Sequence, residues 1–75
     1  MKPAQCRMAR AALRWTTAEL ARSSGVGINT VTRFEDGQDA RTSSVDKMRV
    51  ALENAGIVFL EAGISSPGLG VAIAT

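Results

Sequence analysis

The chain has no histidine, no tyrosine and only one cysteine, Cys6, among its 75 residues. It therefore lacks the usual ligands of a zinc site, and it cannot form an internal disulfide. No base is available to activate a nucleophile, and no glycine-rich phosphate loop is present. We expect no enzymatic activity, no metal and no cofactor, and we interpret Cys6 as a small core residue.

Long apolar runs are also missing. No stretch approaches the ~18 residues that a membrane span requires, and the start of the chain, with its spread arginines, does not resemble a signal peptide. Hydrophobic residues nevertheless make up 45% of the sequence, which is ordinary for a folded globule. These features predict one small domain with a modest core and no membrane partner.

The charges are unevenly distributed. Residues 1–35 contain six basic and two acidic side chains, a net charge of +4, whereas residues 36–75 contain three basic and five acidic ones, a net charge of −2. A basic half suits a protein that presents one face to phosphate. Simple charge scatter on a small surface is the alternative.

Two short amphipathic helices joined by a tight turn are predicted within residues 16–37. Thr16 can cap the first helix, and Glu19, three residues later, completes a capping box. Gly25 should end that helix, because the residue after a helix end often adopts a left-handed backbone. The second helix is expected at residues 28–35.

The second helix has two distinct faces. Val31 and Phe34 share an inward face on a wheel of 100° per residue. The opposite, outward arc carries an apolar side chain, an amide, a hydroxyl and a guanidinium: Ile28, Asn29, Thr32 and Arg33. Such groups suit the base edges in a DNA major groove.

A helix is predicted on each side of this pair. The first runs from Pro3 to about Leu13, and its buried stripe is expected to contain Cys6, Ala9, Ala12 and Leu13. The last is expected to begin after a cap at Ser43, with Asp46 in its first turn, and to end near Ala55. Its predicted core stripe is Val45, Met48, Leu52 and Ala55, while Val50 points away.

The end of the chain changes character. Residues 57–60 and 71–73 are β-branched and aromatic, and a turn-rich segment separates them. We predict two short strands or a hairpin that either packs on the chain's own core or pairs across a dimer.

The central run resembles the helix-turn-helix of the lambda-repressor-like family, also called Xre or Cro/cI-type. The matching pieces are Glu19-Leu20-Ala21, Gly25-Val26, Thr30-Val31 and Arg33-Phe34-Glu35-Asp36-Gly37. The resemblance covers roughly residues 4–60. It implies a mainly α fold, with a four-helix DNA-binding domain at residues 1–56, the helix-turn-helix at about 17–35, and a strand extension at 57–75.

The resemblance also implies a function. The chain would be a sequence-specific regulator of transcription that binds double-stranded DNA, working as a homodimeric repressor that occludes a promoter at a palindromic operator. It would be cytoplasmic, bacterial or phage-encoded, and associated with the nucleoid when bound. The base-contacting residues would be Ile28, Asn29, Thr32 and Arg33. The phosphate-contacting residues would be Thr16, Thr17, Thr30, Arg41, Thr42 and Ser43.

A structural ion pair between Arg10 and Glu35 is implied in the same way. The sequence departs from the family pattern at three positions. Gly27 replaces the usual Ser or Thr cap, Thr17 replaces a frequent phosphate-binding Gln, and Ala40 replaces a frequent Pro. Gly27 can still serve as a cap. The loss of a Gln at Thr17 and the apolar Ile28 at the start of the second helix favour an alternative function, in which the domain is a protein-interaction module or an antitoxin built on the same scaffold.

Overall fold

Four helices and two strands make up the structure, a computed structural model that describes residues 1–60 and 70–73. The elements in chain order are α1 (Pro3–Leu13), α2 (Thr17–Ser24), α3 (Ile28–Glu35), α4 (Thr42–Asn54), β1 (Ile57–Leu60) and β2 (Gly70–Ile73). The predicted class, mainly α with a short strand pair, is confirmed.

Helix α2 begins and ends as its sequence predicts. The Thr16 hydroxyl oxygen accepts a hydrogen bond from the Glu19 N–H at 3.1 Å, which satisfies one of the free donors at the helix start. The reciprocal bond from the Glu19 carboxylate, the other half of a capping box, is not present in the described structure. Gly25 follows the helix with φ +77°, the left-handed conformation that glycine adopts at least cost.

Helix α4 begins earlier than predicted. Ser43 is not its cap, because Arg41 occupies that position and the Val45 N–H already bonds to the Arg41 carbonyl at 3.0 Å. Asp46 consequently lies beyond the first turn, which contains no acidic residue. No side chain caps this helix start, so its first N–H groups have no side-chain acceptor.

The two strands form an antiparallel pair in which Ile57 faces Ile73 and Leu60 faces Gly70. β1 packs against α4 and β2 packs against α1. Gly70, which the sequence placed in the turn-rich segment, begins β2. The rest of that predicted segment, with its glycines, serines and Pro67, lies outside the described residues.

A single hydrophobic cluster joins all four helices and β1. Its members are Cys6, Ala9, Leu20, Ala21, Val31, Phe34, Met48, Leu52 and Ile57. Val45 and Ala55 are only partly buried, so the predicted stripe of α4 is confirmed at its two central positions.

Helix α1 contributes a polar residue to the interior. Ala12, predicted to be buried, is exposed, whereas Gln5 is completely buried. The Gln5 amide donates to the carbonyls of Leu60 at 2.9 Å and Gly70 at 3.3 Å, and its oxygen accepts from the Lys2 N–H at 2.8 Å. Burial of this amide is tolerated because its groups are bonded. Gln5 thus attaches the strand pair to α1.

Candidate nucleic-acid interface

Helix α3 is anchored on one face and free on the other. Val31 is fully buried and Phe34 is 7% exposed, so both side chains fix the helix against the core. The four predicted base-contacting residues, Ile28, Asn29, Thr32 and Arg33, are all exposed. The helix therefore presents these four side chains together to solvent.

The exposed side chains differ in how free their polar groups are. The Thr32 hydroxyl donates to the Ile28 carbonyl one turn earlier, at 3.1 Å, so its proton is engaged while its oxygen can still accept. Ile28 is 47% exposed, an apolar surface at the start of the helix. Such a group matches the methyl group of thymine.

A concave surface of about 470 Å³ lies beside α3. It is lined by Asn29, Thr30 and Arg33 of α3, by Asp39, Ala40 and Arg41 of the connector, and by Ser44 of α4. We call it the α3–α4 groove. It brings together two predicted base-contacting residues and two predicted phosphate-contacting ones, Thr30 and Arg41. Ile28 and Thr32 do not line it.

The charge of the α3–α4 groove is mixed. Arg33 and Arg41 contribute two guanidinium groups, and Asp39 contributes a carboxylate. In the part of the chain that the structure describes, none of the three forms a salt bridge. All three side chains are exposed, so they are available to a ligand with both acceptors and donors.

The other predicted phosphate-contacting residues lie elsewhere. Thr42 and Ser43 are exposed in the uncapped first turn of α4, next to the groove but not among its lining residues. Thr16 and Thr17 lie at the start of α2. A helix start offers free N–H groups and a partial positive charge, so both regions have the chemistry to meet an anion.

The end of α3 is tied to α1 by the ion pair that the resemblance implied. Arg10 donates from Nε and Nη2 to the two carboxylate oxygens of Glu35, each at 2.6 Å. The side chains are 20% and 6% exposed. Two parallel bonds of this kind fix orientation as well as distance. Arg7 adds a hydrogen bond to the Glu35 carbonyl.

Cys6 belongs to the same cluster. Its thiol donates to Glu35 Oε2 at 3.2 Å, and burial, followed by the contact with the Glu35 carboxylate, raises the pKa of the thiol to about 12. A thiol in this state is not a nucleophile at neutral pH. Cys6 is therefore a buried donor to the ion pair.

The hydrogen-bond geometry of the Arg10–Glu35 pair favours the charged form of both side chains. Burial acts to raise the pKa of the Glu35 carboxyl, but the hydrogen bonds from Arg10 and Cys6 and the nearby positive charges outweigh it, so that pKa lies below its ordinary value. The hydrogen bond to Glu35 likewise raises the pKa of Arg10. Both groups are charged at neutral pH, and the end of α3 is fixed relative to α1.

Sequence reasoning missed Asp39 and Ser44 in the α3–α4 groove. Asp39 lies in the connector between α3 and α4, and a connector has no periodicity that shows where its side chains point. Ser44 lies in the first turn of α4, and no sequence signal indicated that it lines the groove.

No protein-family model matches the sequence, and no match to a curated protein was found. Within residues 1–60 and 70–73, no helix combines the length and apolarity needed to cross a bilayer. The same residues contain no grouping of three or more metal-binding side chains.

Proposed function

We propose that this protein binds double-stranded DNA in a sequence-specific manner, with α2 and α3 acting as a helix-turn-helix and α3 lying in the major groove. The observation that carries the proposal is the division of α3 into an anchored face and an exposed polar face. Because Val31 and Phe34 hold α3 against the core, its outward side chains can approach base edges while every core contact stays in place.

The exposed side chains match the donors and acceptors of the bases. Asn29 can pair with N6 and N7 of adenine, and Arg33 with O6 and N7 of guanine, each through two hydrogen bonds. Ile28 can contact a thymine methyl, and the Thr32 oxygen can accept from a base amine. A well-formed two-bond contact discriminates against a wrong base by about 1–3 kcal/mol.

Phosphate contacts would orient α3 in the groove. The uncapped start of α4, with Thr42 and Ser43, and the start of α2, with Thr16 and Thr17, present N–H groups and hydroxyls to the DNA backbone. Arg41 adds a positive charge between α3 and α4. The loss of a long amide side chain at Thr17 weakens the contact at α2.

A homodimer is the proposed working form. One domain of this size makes few base contacts, whereas two copies related by a two-fold axis would bind half-sites about 34 Å apart. Exposed apolar side chains also occur outside α3: Val50 on α4 is 52% exposed, and Val58 and Ile73, on opposite faces of the strand pair, are 45% and 49% exposed. The strand pair is the better candidate, because none of its eight residues is charged, and charge normally protects free strand edges from pairing.

Repression by promoter occlusion is the simplest mechanism for such a dimer, because a protein bound at a promoter blocks polymerase by its presence alone. The resemblance to lambda-repressor-like proteins supports this mechanism, a bacterial or phage origin and a cytoplasmic location.

A protein-interaction function is the second candidate. Two features favour it: Ile28 is an exposed apolar side chain on the outward face of α3, and the loss of a long amide at Thr17 weakens the phosphate contact at α2. In this case α3 would contact a protein and the chain would act as an interaction module or antitoxin.

Selection from a random pool of duplex DNA separates the two functions. A DNA-binding dimer should enrich one palindromic sequence, with half-sites separated by one helical turn, and its affinity should fall steeply with salt. Enrichment of no sequence, under conditions in which circular dichroism shows the helices intact, would reject the proposed function in favour of the second candidate.

A further inference from the structure

Asp39 is an unexpected member of the α3–α4 groove. Its carboxylate shares the groove with Arg33 and Arg41, and it makes no salt bridge to either one in the described structure. A carboxylate on a surface that meets phosphate weakens binding by repulsion. An acceptor at this place is therefore useful only for a ligand that also offers a donor.

One base pair offers this combination in the major groove. The edge of a G·C pair presents the N7 and O6 acceptors of guanine followed by the N4 amine of cytosine, a donor. An arginine matches the first two groups, and an aspartate or glutamate matches the third. An A·T pair presents a different order, ending in an oxygen and a methyl group.

We propose that Arg33 and Asp39 together recognise a single G·C pair, Arg33 through guanine and Asp39 through the N4 amine of cytosine. This inference rests on the proposed function and makes Asp39 a specificity-determining residue. Repulsion between Asp39 and phosphate weakens binding to every sequence alike, and only a duplex that offers the cytosine amine at this position offsets it.

The test removes the amine and the carboxylate separately. The selected duplex is prepared in two forms that differ at one G·C pair, the pair whose enrichment is lost in Arg33→Ala. One form carries cytosine at this pair, and the other carries 2-pyrimidinone, a base that lacks the N4 amine. Fluorescence anisotropy then measures the affinity of wild type and Asp39→Ala for both duplexes. Asp36→Ala is the matched control, since Asp36 is an exposed acid just beyond α3 that does not line the groove.

Wild type and Asp36→Ala should each bind the 2-pyrimidinone duplex about tenfold more weakly than the cytosine duplex. Asp39→Ala should bind both duplexes within about twofold of one another. The inference is overturned if wild type does not distinguish the duplexes, if Asp39→Ala distinguishes them as wild type does, or if no G·C preference depends on Arg33.

The same measurements separate this inference from the proposed function. If Asp39 acts only by repelling phosphate, Asp39→Ala will bind both duplexes more tightly by the same factor, which would leave DNA binding intact and overturn the contact with cytosine. If wild type selects no sequence from the random pool, both the proposed function and this inference are overturned.

Discussion

Replacing Glu35 with glutamine should destabilise the fold more than any exposed charge substitution. The carboxylate is 6% exposed, and it accepts two hydrogen bonds of 2.6 Å from Arg10 and a third from the Cys6 thiol. Glutamine keeps the shape but leaves the Arg10 guanidinium without its counter-charge. Removing one partner of a buried pair destabilises proteins by about 3–5 kcal/mol, and because Arg10 is 20% exposed we expect about 3 kcal/mol here.

Urea and thermal unfolding, both followed through the fluorescence of the single tryptophan, Trp15, measure the loss of free energy and the shift in Tm. A domain of this length shifts its Tm by about 6 °C per kcal/mol, so the Tm of Glu35→Gln should fall by about 15–20 °C. Glu53→Gln is the matched control, because it makes the same substitution at an exposed ion pair and leaves Arg49 in place over the Phe59 ring. The Arg49–Glu53 pair spans 3.3 Å between side chains that are 40% and 44% exposed, and its loss should change stability by less than about 1 kcal/mol.

The pH dependence gives this prediction a second readout. The pKa of Glu35 in the folded state lies below its ordinary value of 4.5, so its contribution is complete above about pH 4.5 and is lost as the pH falls through the lower folded value. The difference in unfolding free energy between wild type and Glu35→Gln should be constant from pH 8 to about pH 5 and should narrow at lower pH. A difference under about 1 kcal/mol at pH 7, or one that does not change in acid, would refute the reasoning.

Three further perturbations test the fold and the assembly. Gln5→Leu removes the amide that bonds the carbonyls of both strands and should lower the free energy of unfolding by about 2–4 kcal/mol. The loss of hydrogen-exchange protection should be concentrated at residues 57–60. An equal loss of protection throughout the helices would show that Gln5 does not attach the strand pair to α1. Gly25→Ala should cost about 1 kcal/mol in thermal unfolding, because φ is +77° but the added Cβ meets no atom within 4 Å; a loss above about 3 kcal/mol would reveal a clash. In sedimentation equilibrium, Val58→Lys should convert the proposed dimer to monomer while Val50→Lys should not, and the reverse result would move the interface to α4.

Sequence patterns predicted the helices well where capping and periodicity agree. Pro3 at the first turn, the Thr16 cap and the left-handed Gly25 each give a local signal that does not depend on the rest of the chain. The start of α4 was placed too late because several hydroxyl residues follow one another there, and each is an acceptable cap in isolation.

The side chains that join distant elements were harder to predict. Gln5 looks like a surface residue of α1, and its burial follows only from carbonyls that lie more than fifty residues later in the chain. Asp39 in the connector and Ser44 in the first turn of α4 both line the α3–α4 groove, and no periodic pattern in the sequence indicates that they do. The Arg10–Glu35 pair came from the family resemblance, since neither residue by itself indicates its partner.

The most direct test of the proposed function compares two arginine variants on one duplex. Arg33 lines the α3–α4 groove, whereas Arg22 is an exposed arginine in the last turn of α2 that does not. By fluorescence anisotropy on the selected duplex, Arg33→Ala should bind about 30-fold or more weakly than wild type, because each of two half-sites loses a contact of about 1–3 kcal/mol. Arg22→Ala should stay within a few-fold of wild type. If folded Arg33→Ala binds that duplex as tightly as wild type, α3 is not the helix that contacts the bases.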